Sequence, residues 1–389
     1  MDLDSDTADG GGPMGRWTVM AQRMAQQMAR QSTQHTSQVP DAATVRTALQ
    51  LAMRAPSVHN SQPWHWRVLA GGTHHQVQLW SDDRRRLPHT DPDGRDLVLS
   101  CGTALHHAVV AFAALGWRAT VHRLPEPDQP RLLAVLEICR CPVEHVEVML
   151  AAAIPRRRTD RRPYSGWPVA PGDLALMGAR AARAGVTVRQ LDSPTSVEAL
   201  RAILTEATRL HVADDAYLDE LTRWSGRFRA DSGVPARNTP PPDQRAALPG
   251  RLFAGPGLAH VPLDEDERDH SVLLALGTAA DDRLAWLRAG EATSVVLLTA
   301  TALGLASCPV TEPLEIAATR EAVRAAEFGD GGHPQMLLRV GWAPINADPL
   351  PPTPRRRLAD TVDWVGAPTP PAAEPTTAAP FPPLAGSVR

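Results

Sequence analysis

The sequence contains no lysine, so all 40 of its basic residues are arginine. This absence excludes every chemistry that requires a lysine amine, including the pyridoxal Schiff base, the GxxxxGK phosphate loop and kinase-type sites.

Cysteine is also scarce, and several familiar site patterns are missing. The four cysteines (Cys101, Cys139, Cys141 and Cys308) form no CxxC pair, and no HExxH occurs among the scattered histidines. We therefore predict no metal site. The segment GPGLAH at 255–260 lacks the last glycine of GxGxxG, and no GxSxG elbow is present, which argues against a Rossmann nucleotide site and a hydrolase.

Strong net charge and long apolar runs are absent as well. The formal charge of −3 is too close to neutral for a general nucleic-acid or anionic-membrane binder. The longest apolar runs, 107–117 and 294–306, are shorter than the ~18 to 20 residues of a membrane helix, and residues 1–30 lack the apolar core of a signal peptide. These features predict a globular cytoplasmic protein without a membrane or nucleic-acid partner.

What is present is a mixed pattern of helices and strands between two irregular ends. Residues 1–40 are predicted to form a flexible N-terminal segment, and 365–389, with seven prolines, a disordered tail. TVRTALQLAMRA has helical apolar spacing and stops at Pro56, and two alternating strands follow around Gly71 and Gly72. We predict an α+β fold.

An apolar helix occurs twice. GTALHHAVVAFAALG at 102–116 aligns without gaps on GEATSVVLLTATALG at 290–304, and each copy is followed by an apolar strand. This repeat predicts two similar halves fused in tandem, at 41–150 and 151–360. An insertion at about 211–270, rich in proline, glycine and charge, is interpreted as a lid, with a functionless loop as the alternative.

The first dense polar stretch is RAPSVHNSQPWHWRV, residues 54–68. Pro56 ends a helix and Pro63 extends the backbone before it, so the residues between them lie on irregular backbone held by rigid elements. The polar side chains there are Ser57, His59, Asn60 and Gln62. Amides suit a ring that alternates donors and acceptors, such as the pyrimidine edge of a flavin, although simple capping is the alternative.

The second dense stretch is IPRRRTDRRPYSGWPV, residues 154–169. Five arginines with a threonine hydroxyl form a set of side chains that binds phosphate. A solvated charge run and an RNA-binding surface are the alternatives. A further cluster, Arg355–Arg357, could close on the same anion.

These two stretches resemble a known family. APSVHNSQPWHWRV resembles the FMN-binding loop PSSxNxQPW of nitroreductase-fold flavoproteins, and RRRTDRRPY resembles their RxSxR phosphate motif with threonine for serine. Here the loop precedes the arginines. That order, together with DPDGR, SCGTAL and PQMLLRVG, resembles the Acg-type nitroreductase-like proteins of mycobacteria and related actinobacteria. The resemblance covers about residues 42–360 and implies a nitroreductase-like fold.

The resemblance also implies which residues hold the cofactor. In the loop it points to the flavin ring and ribityl chain, and in the arginine segments to the phosphate. The implied cofactor-binding residues are Pro56, Ser57, His59, Asn60, Gln62, Arg157, Thr159, Arg161, Val310, Thr311, Arg355 and Arg356. Val310 and Thr311 occupy the place where the family brings a backbone N–H to the flavin N5, but the usual Glu-Gly or Gly-Gly is absent.

The implied function is an FMN-dependent oxidoreductase that takes hydride from NAD(P)H and reduces a small acceptor, a nitro compound or a quinone. No catalytic side chain is expected, because the cofactor carries the chemistry. Each half supplies one part of the site, so the resemblance implies one FMN per chain and a monomer that is an intrachain pseudo-dimer. The alternative is a flavin-binding or flavin-sequestering protein with little reductase activity, whose lid covers the flavin.

Overall fold

The computed structural model describes residues 39–71, 74–227, 230–241, 248–258, 269–344 and 346–366. The predicted N-terminal segment at 1–40 therefore lies outside the described residues, except for its last two positions. The predicted tail at 365–389 also lies outside them after Gly366. Its first residue, Val365, belongs to a strand, so the structured region extends past the predicted boundary.

The elements alternate along the chain as an α+β protein. The helices are α1 (Ala42–Ala52), α2 (Arg95–Ala114), α3 (His145–Ala153), α4 (Pro171–Ala182), α5 (Pro194–Val212), α6 (Asp215–Trp224), α7 (Arg283–Ala302), α8 (Glu312–Glu315) and α9 (Ala317–Glu327). The strands are β1 (Trp64–Gly71), β2 (His74–Ser81), β3 (Trp117–Arg123), β4 (Leu132–Arg140), β5 (Thr187–Gln190), β6 (Ser225–Arg227), β7 (Val234–Pro235), β8 (Val272–Thr278), β9 (Ala306–Val310), β10 (His333–Gly341) and β11 (Val362–Val365). Short 3-10 turns occupy Val58–Asn60, Asp83–Arg85, Ala236–Asn238, Gly329–Gly331 and Leu358–Asp360.

The strands form two main sheets, one in each predicted half. The first has the order β11-β1-β2-β4-β3 and the second the order β5-β8-β10-β9. β1 and β2 pair antiparallel, with Gly71 opposite His74, which confirms the two predicted strands. β11 pairs parallel to β1, so the end of the chain returns from the second half to the first sheet.

The predicted helices are confirmed, and two of them form the centre of the molecule. α2 ends just before Gly116 and α7 just before Gly304. These glycines have φ of 83° and 85°, a left-handed conformation that glycine adopts easily because it has no Cβ. α2 is long and apolar enough to span a membrane by composition, but 83% of that stretch is buried in the protein. It is therefore a core helix, packed against α7.

The predicted insertion at 211–270 is more regular than its composition suggested. It begins inside α5 and continues into α6, whose first turn is capped by Asp214 accepting from the backbone N–H groups of Ala216 and Tyr217. The proline- and glycine-rich part follows α6. Its described residues, 230–241 and 248–258, are called the cover segment below, because several of them lie over the main cavity.

Candidate functional site

A large cavity lies where the two predicted halves meet, with about 1320 Å³ of space including its open mouth. Its walls come from the loop before β1, from α2 and α7, from the end of β9 and from the cover segment. Seven of the predicted site residues line this cavity: Pro56, Ser57, His59, Thr159, Arg161, Val310 and Thr311. Segments that are distant in sequence therefore meet at one place.

The loop at 56–62 has a strained backbone. His59, Asn60 and Gln62 have φ of 46°, 52° and 52°, a left-handed region that residues other than glycine rarely occupy. Such conformations persist only where the surrounding structure holds them, and they are concentrated at ligand sites. The irregular backbone that the two prolines predicted is thus confirmed.

The side chains of Asn60 and Gln62 do not line the cavity. The Asn60 amide donates to the carbonyls of Gly233 (3.0 Å) and Pro354 (3.2 Å). The Gln62 amide donates to the Asp231 carbonyl at 2.8 Å, and its oxygen accepts from the Arg356 backbone N–H at 2.9 Å. Both amides therefore tie the loop to the cover segment and to the C-terminal segment. Their contact with a flavin stays a prediction.

Two residues of α2 hold the same loop in place, and neither was among the site residues predicted from the sequence. Ser100 Oγ accepts from the Val58 backbone N–H at 3.1 Å, and Thr103 Oγ1 donates to the Pro56 carbonyl at 2.6 Å. Both also line the cavity. They belong to the segment SCGTAL, which carried the family resemblance but no residue assignment.

A second, smaller pocket of about 260 Å³ contains a cluster of arginines. Its lining includes Arg54, Arg157, Arg158 and Arg355, and no described carboxylate forms an ion pair with any of the four. Their hydrogen bonds go to backbone carbonyls or to a hydroxyl. The Nε atoms of Arg157, Arg158 and Arg355 are buried without a partner. Arg54 and Arg158 are additions to the predicted set.

The electrostatics of this pocket favour an anion. Burial and the neighbouring guanidinium groups lower the pKa of Arg157 to about 10 and that of Arg355 to about 9. Both causes penalise the charged form. A bound anion would relieve both, because it supplies opposite charge and accepts from the free N–H donors.

One lining residue of the small pocket contacts one of the large cavity. Arg157 lines the small pocket and Thr159 the large cavity, and Nη1 of Arg157 lies 3.5 Å from Oγ1 of Thr159. Arg161, two residues further, faces the large cavity instead of the arginine pocket. It donates to the Asn238 carbonyl at 3.1 Å, and its guanidinium lies 4.9 Å from the ring centre of Phe253.

The remaining arginines of the two predicted clusters have structural partners. Arg156 is exposed and donates to the Ala152 carbonyl. Arg162 forms a two-fold ion pair with Asp160 at 2.8 and 2.9 Å. Arg356, a predicted site residue, lies 3.8 Å from the Asp82 carboxylate and lines neither cavity. Its role in holding a phosphate stays a prediction, whereas Arg355 lies in the arginine pocket.

Arg251 connects the cover segment to the cavity wall. Its Nη2 lies 2.5 Å from Oε1 of Glu315, a carboxylate with a fully buried side chain, and 3.4 Å from Oγ1 of Thr311. Its Nη1 lies 2.5 Å from Nε2 of His59. Burial opposes the charge on Arg251, but Glu315, Tyr217 and Glu312 together outweigh it and raise the pKa of the guanidinium. The cover segment is thus held by a buried ion pair.

The end of β9 supplies the wall opposite the loop. Thr311 Oγ1 donates to Glu315 Oε1 at 2.7 Å, so this hydroxyl is already in use. Cys308 also lines the cavity, and burial raises the pKa of its thiol. In the described part of the chain, no group of three or more His, Cys, Asp or Glu residues could hold a metal ion.

Comparison with known proteins gives a consistent result. The model of the nitroreductase family matches residues 154–342. A Mycobacterium tuberculosis H37Rv protein, provisionally named an NAD(P)H nitroreductase, is 60% identical over 329 residues, which cover 84% of this chain and 92% of that protein. A second protein of that strain, provisionally named NAD(P)H nitroreductase acg, is 39% identical over 81% of this chain and 93% of its own length.

Solved structures resemble the chain more distantly. A nitroreductase with bound FMN from Bacteroides fragilis has 16% identity and a TM-score of 0.33, covering 51% of this chain and 90% of that one. A provisionally named nitroreductase from Anabaena variabilis has 11% identity and a TM-score of 0.41, covering 79% of this chain and 90% of that one.

Proposed function

Because this chain belongs to the Acg-type group of the nitroreductase family, we propose that it is an FMN-binding oxidoreductase that uses NAD(P)H to reduce a small acceptor, a nitro compound or a quinone. When bound, FMN supplies the hydride chemistry. The protein must then bind the phosphate, place the ring and control access to it. No acid–base triad is required for these tasks.

The observation that carries this proposal is the arginine pocket. Arg54, Arg157, Arg158 and Arg355 bring four cations together without an ion-paired carboxylate among the described residues, and three of their Nε donors are unpartnered. Assembling like charges in a buried place is unfavourable unless an anion joins them. A phosphate group matches the pocket, because guanidinium forks bind phosphate oxygens through paired N–H donors.

The large cavity would take the ring. Arg157 of the arginine pocket contacts Thr159 of the large cavity, which supports a molecule with its phosphate in the first and its planar ring in the second. Arg161 then lies on the ring side. A positive charge there would stabilise the reduced, anionic form of a flavin ring.

The experiment is an absorption spectrum of the purified full-length chain, before and after NADPH. We expect a yellow protein with one FMN per chain, whose band at about 450 nm bleaches when NADPH is added. Purified protein that stays colourless and does not take up added FMN would overturn the proposal. Light scattering of the loaded protein would test the expected monomer.

A second function is favoured by the way in which the cover segment is held. The Arg251–Glu315 ion pair and the contact with His59 hold residues of this segment against the cavity. If this closed form persists, the protein would bind FMN but exclude the nicotinamide. FMN-loaded protein that dithionite reduces and NADPH does not would support this flavin-sequestering function over the reductase.

A further inference from the structure

The two ring nitrogens of His59 have unlike surroundings. Nε2 lies 2.5 Å from Nη1 of Arg251 in the cover segment. Nδ1 is buried and has no hydrogen-bond partner in the described protein. The side chain lines the large cavity, and the residue is only 7% exposed. One nitrogen is therefore engaged by the protein, whereas the other has no partner, in a side chain that lines the cavity.

The chemistry of arginine fixes the hydrogen on the ring. A guanidinium has only donors, so Nε2 must be the acceptor of this hydrogen bond. An imidazole that accepts at Nε2 is neutral and carries its hydrogen at Nδ1. The charged groups around the ring agree: burial first, then Arg251, Arg161 and His211, hold the pKa of His59 well below its usual value. Glu315 faces Arg251, not the imidazole, in the contacts described.

A buried donor without an acceptor is unfavourable, since its hydrogen bond to water has been lost. The strained φ of 46° at His59 is a second unfavourable contribution to the free energy of the folded state. Both are offset if a bound molecule places an acceptor at Nδ1. The feature therefore indicates a ligand contact.

We propose that the Nδ1–H of His59 is a positioning donor for an oxygen atom of the molecule bound in the large cavity, and that Arg251 of the cover segment fixes the ring in this donor form. The inference rests on the proposed function for the identity of the occupant. The acceptor is a carbonyl oxygen of the flavin ring or an oxygen of the reducible substrate. The contact that holds the cover segment at the cavity is then the same one that keeps the hydrogen on Nδ1 of His59.

The first experiment observes the ring directly. Long-range ¹H–¹⁵N NMR spectra of the full chain, labelled with ¹⁵N-histidine, distinguish the two neutral tautomers and the cation, and His59→Asn identifies the signal. We expect His59 to be neutral and protonated at Nδ1 across about pH 5.5 to 8 in the FMN-free protein. An Nε2–H form, or a cation, would overturn the proposal whether or not the protein binds FMN.

Variants of Arg251 test the second part of the proposal. Arg251→Met removes the guanidinium N–H donors that face Nε2 of His59. The ring should then no longer be fixed in its Nδ1–H form, and its pKa should rise toward the usual value. Arg251→Lys keeps a donor and should restore it, in whole or in part. If the Nδ1–H signal is unchanged in Arg251→Met, the cover segment does not set the tautomer.

Two loading steps identify the acceptor. FMN is added first, and then the neutral quinone menadione, with no reductant present. A downfield shift of the Nδ1–H proton on adding FMN assigns the acceptor to the flavin, and a shift only on adding menadione assigns it to the substrate. If neither step moves the signal while the protein turns yellow, the proposal fails although the proposed function stands. A protein that never turns yellow contradicts the proposed function instead.

Affinity gives an independent measurement. His59→Asn keeps an N–H donor and tolerates a left-handed φ, whereas His59→Ala keeps no donor. We expect His59→Ala to weaken binding of the molecule identified above about 3- to 10-fold, the effect of one neutral hydrogen bond, and His59→Asn to restore part of it. Equal dissociation constants for the native protein and His59→Ala would contradict the proposal.

Discussion

Gly102 of α2 and Gly290 of α7 face each other where the two core helices cross. A Cβ added at Gly102 would overlap the carbonyl oxygen of Leu287, and one added at Gly290 would overlap that of Leu99. Both pairs are separated by the same offset, 290 − 102 = 188 and 287 − 99 = 188. Reciprocal contacts of this kind are typical of an interface with two-fold symmetry, so they support the hypothesis of two similar fused halves.

This crossing predicts a large penalty for one methyl group. Alanine normally stabilises a helix by up to about 1 kcal/mol relative to glycine, but here its Cβ meets rigid backbone. We expect Gly102→Ala, and equally Gly290→Ala, to lower the free energy of unfolding by about 1 to 3 kcal/mol, as overpacking does. Urea unfolding followed by circular dichroism measures the change.

The matched control is Gly178→Ala in α4, where an added Cβ meets only ordinary contact, Val188 Cβ at 4.0 Å. Alanine should be neutral or stabilising at that position. If Gly102→Ala and Gly178→Ala have the same effect on stability, the close helix crossing is not a determinant of this fold.

The elements with strong periodicity could be predicted from the sequence. The helix before Pro56 and the two alternating strands after it were predicted, although α1 already ends at Ala52, before the predicted end at the proline. The repeat at 102–116 and 290–304 identified the two core helices, because their apolar composition and terminal glycines are local properties. Local rules suffice for elements of this kind.

The partners of individual polar side chains could not be predicted. Asn60, Gln62 and Arg356 stood within suggestive segments, yet their hydrogen bonds go to distant backbone groups or, for Arg356, partly to a local one. Arg54 and Arg158 lie in one pocket because both donate to the Pro155 carbonyl, and Arg355 reaches it through the return of the chain along 346–366. Such contacts depend on the tertiary path, which a single sequence does not contain.

The arginine pocket predicts unequal effects within one run of arginines. Arg157→Ala removes a guanidinium that lines the pocket, and we expect it to weaken FMN binding by about 1.5 to 3 kcal/mol, the range for a charged hydrogen bond. Arg156→Ala changes the preceding residue, whose side chain is exposed, and this variant should bind FMN like the native chain. Flavin fluorescence quenching gives both dissociation constants. Equal weakening by both substitutions would indicate a diffuse charge effect instead of a phosphate site.

α6 is linked to the cover segment, because the Ala254 backbone N–H donates to Oγ of Ser225, the residue directly after α6, at 3.1 Å. The attachment of α6 therefore predicts control over access to the cavity. The Glu220 carboxylate accepts from the backbone N–H and hydroxyl of Thr90 at 2.8 and 2.7 Å, and from the His89 N–H at 3.3 Å. Losing these charged hydrogen bonds should destabilise the closed arrangement by about 1.5 to 3 kcal/mol. We therefore expect Glu220→Ala to accelerate bleaching of bound FMN by NADPH at least several-fold in stopped-flow measurements.

A surface ion pair provides the control for this experiment. Glu206 pairs with Arg209 on the exposed face of α5, at 2.7 Å. Such pairs contribute little to stability, so Glu206→Ala should leave the bleaching rate unchanged. If Glu220→Ala also leaves it unchanged, the α6 attachment does not limit access of the nicotinamide.

A half-buried and a buried histidine at the helix crossing predict sensitivity to acid. His106 and His107 place Nδ1 at 2.7 and 2.8 Å from Ser294 Oγ. Burial lowers the pKa of His106 to about 4, and burial with the neighbouring Arg157 lowers that of His107 well below its usual value. In the unfolded chain both titrate at about 6.5. Below that pH the unfolded state binds more protons than the folded state, so stability decreases as the pH falls.

Each histidine should contribute about 1.4 kcal/mol of lost stability per pH unit, from about pH 6.5 down to its folded pKa. Urea unfolding of the native chain between pH 7 and pH 5 should therefore show a falling free energy, and His106→Gln should reduce that slope by the equivalent of about one proton. Glutamine keeps a polar contact for Ser294 and does not titrate. A loss of packing alone would lower the free energy of unfolding equally at every pH, without changing its slope. An unchanged slope in His106→Gln would show that this histidine takes up its proton over the same pH range in the folded and the unfolded states.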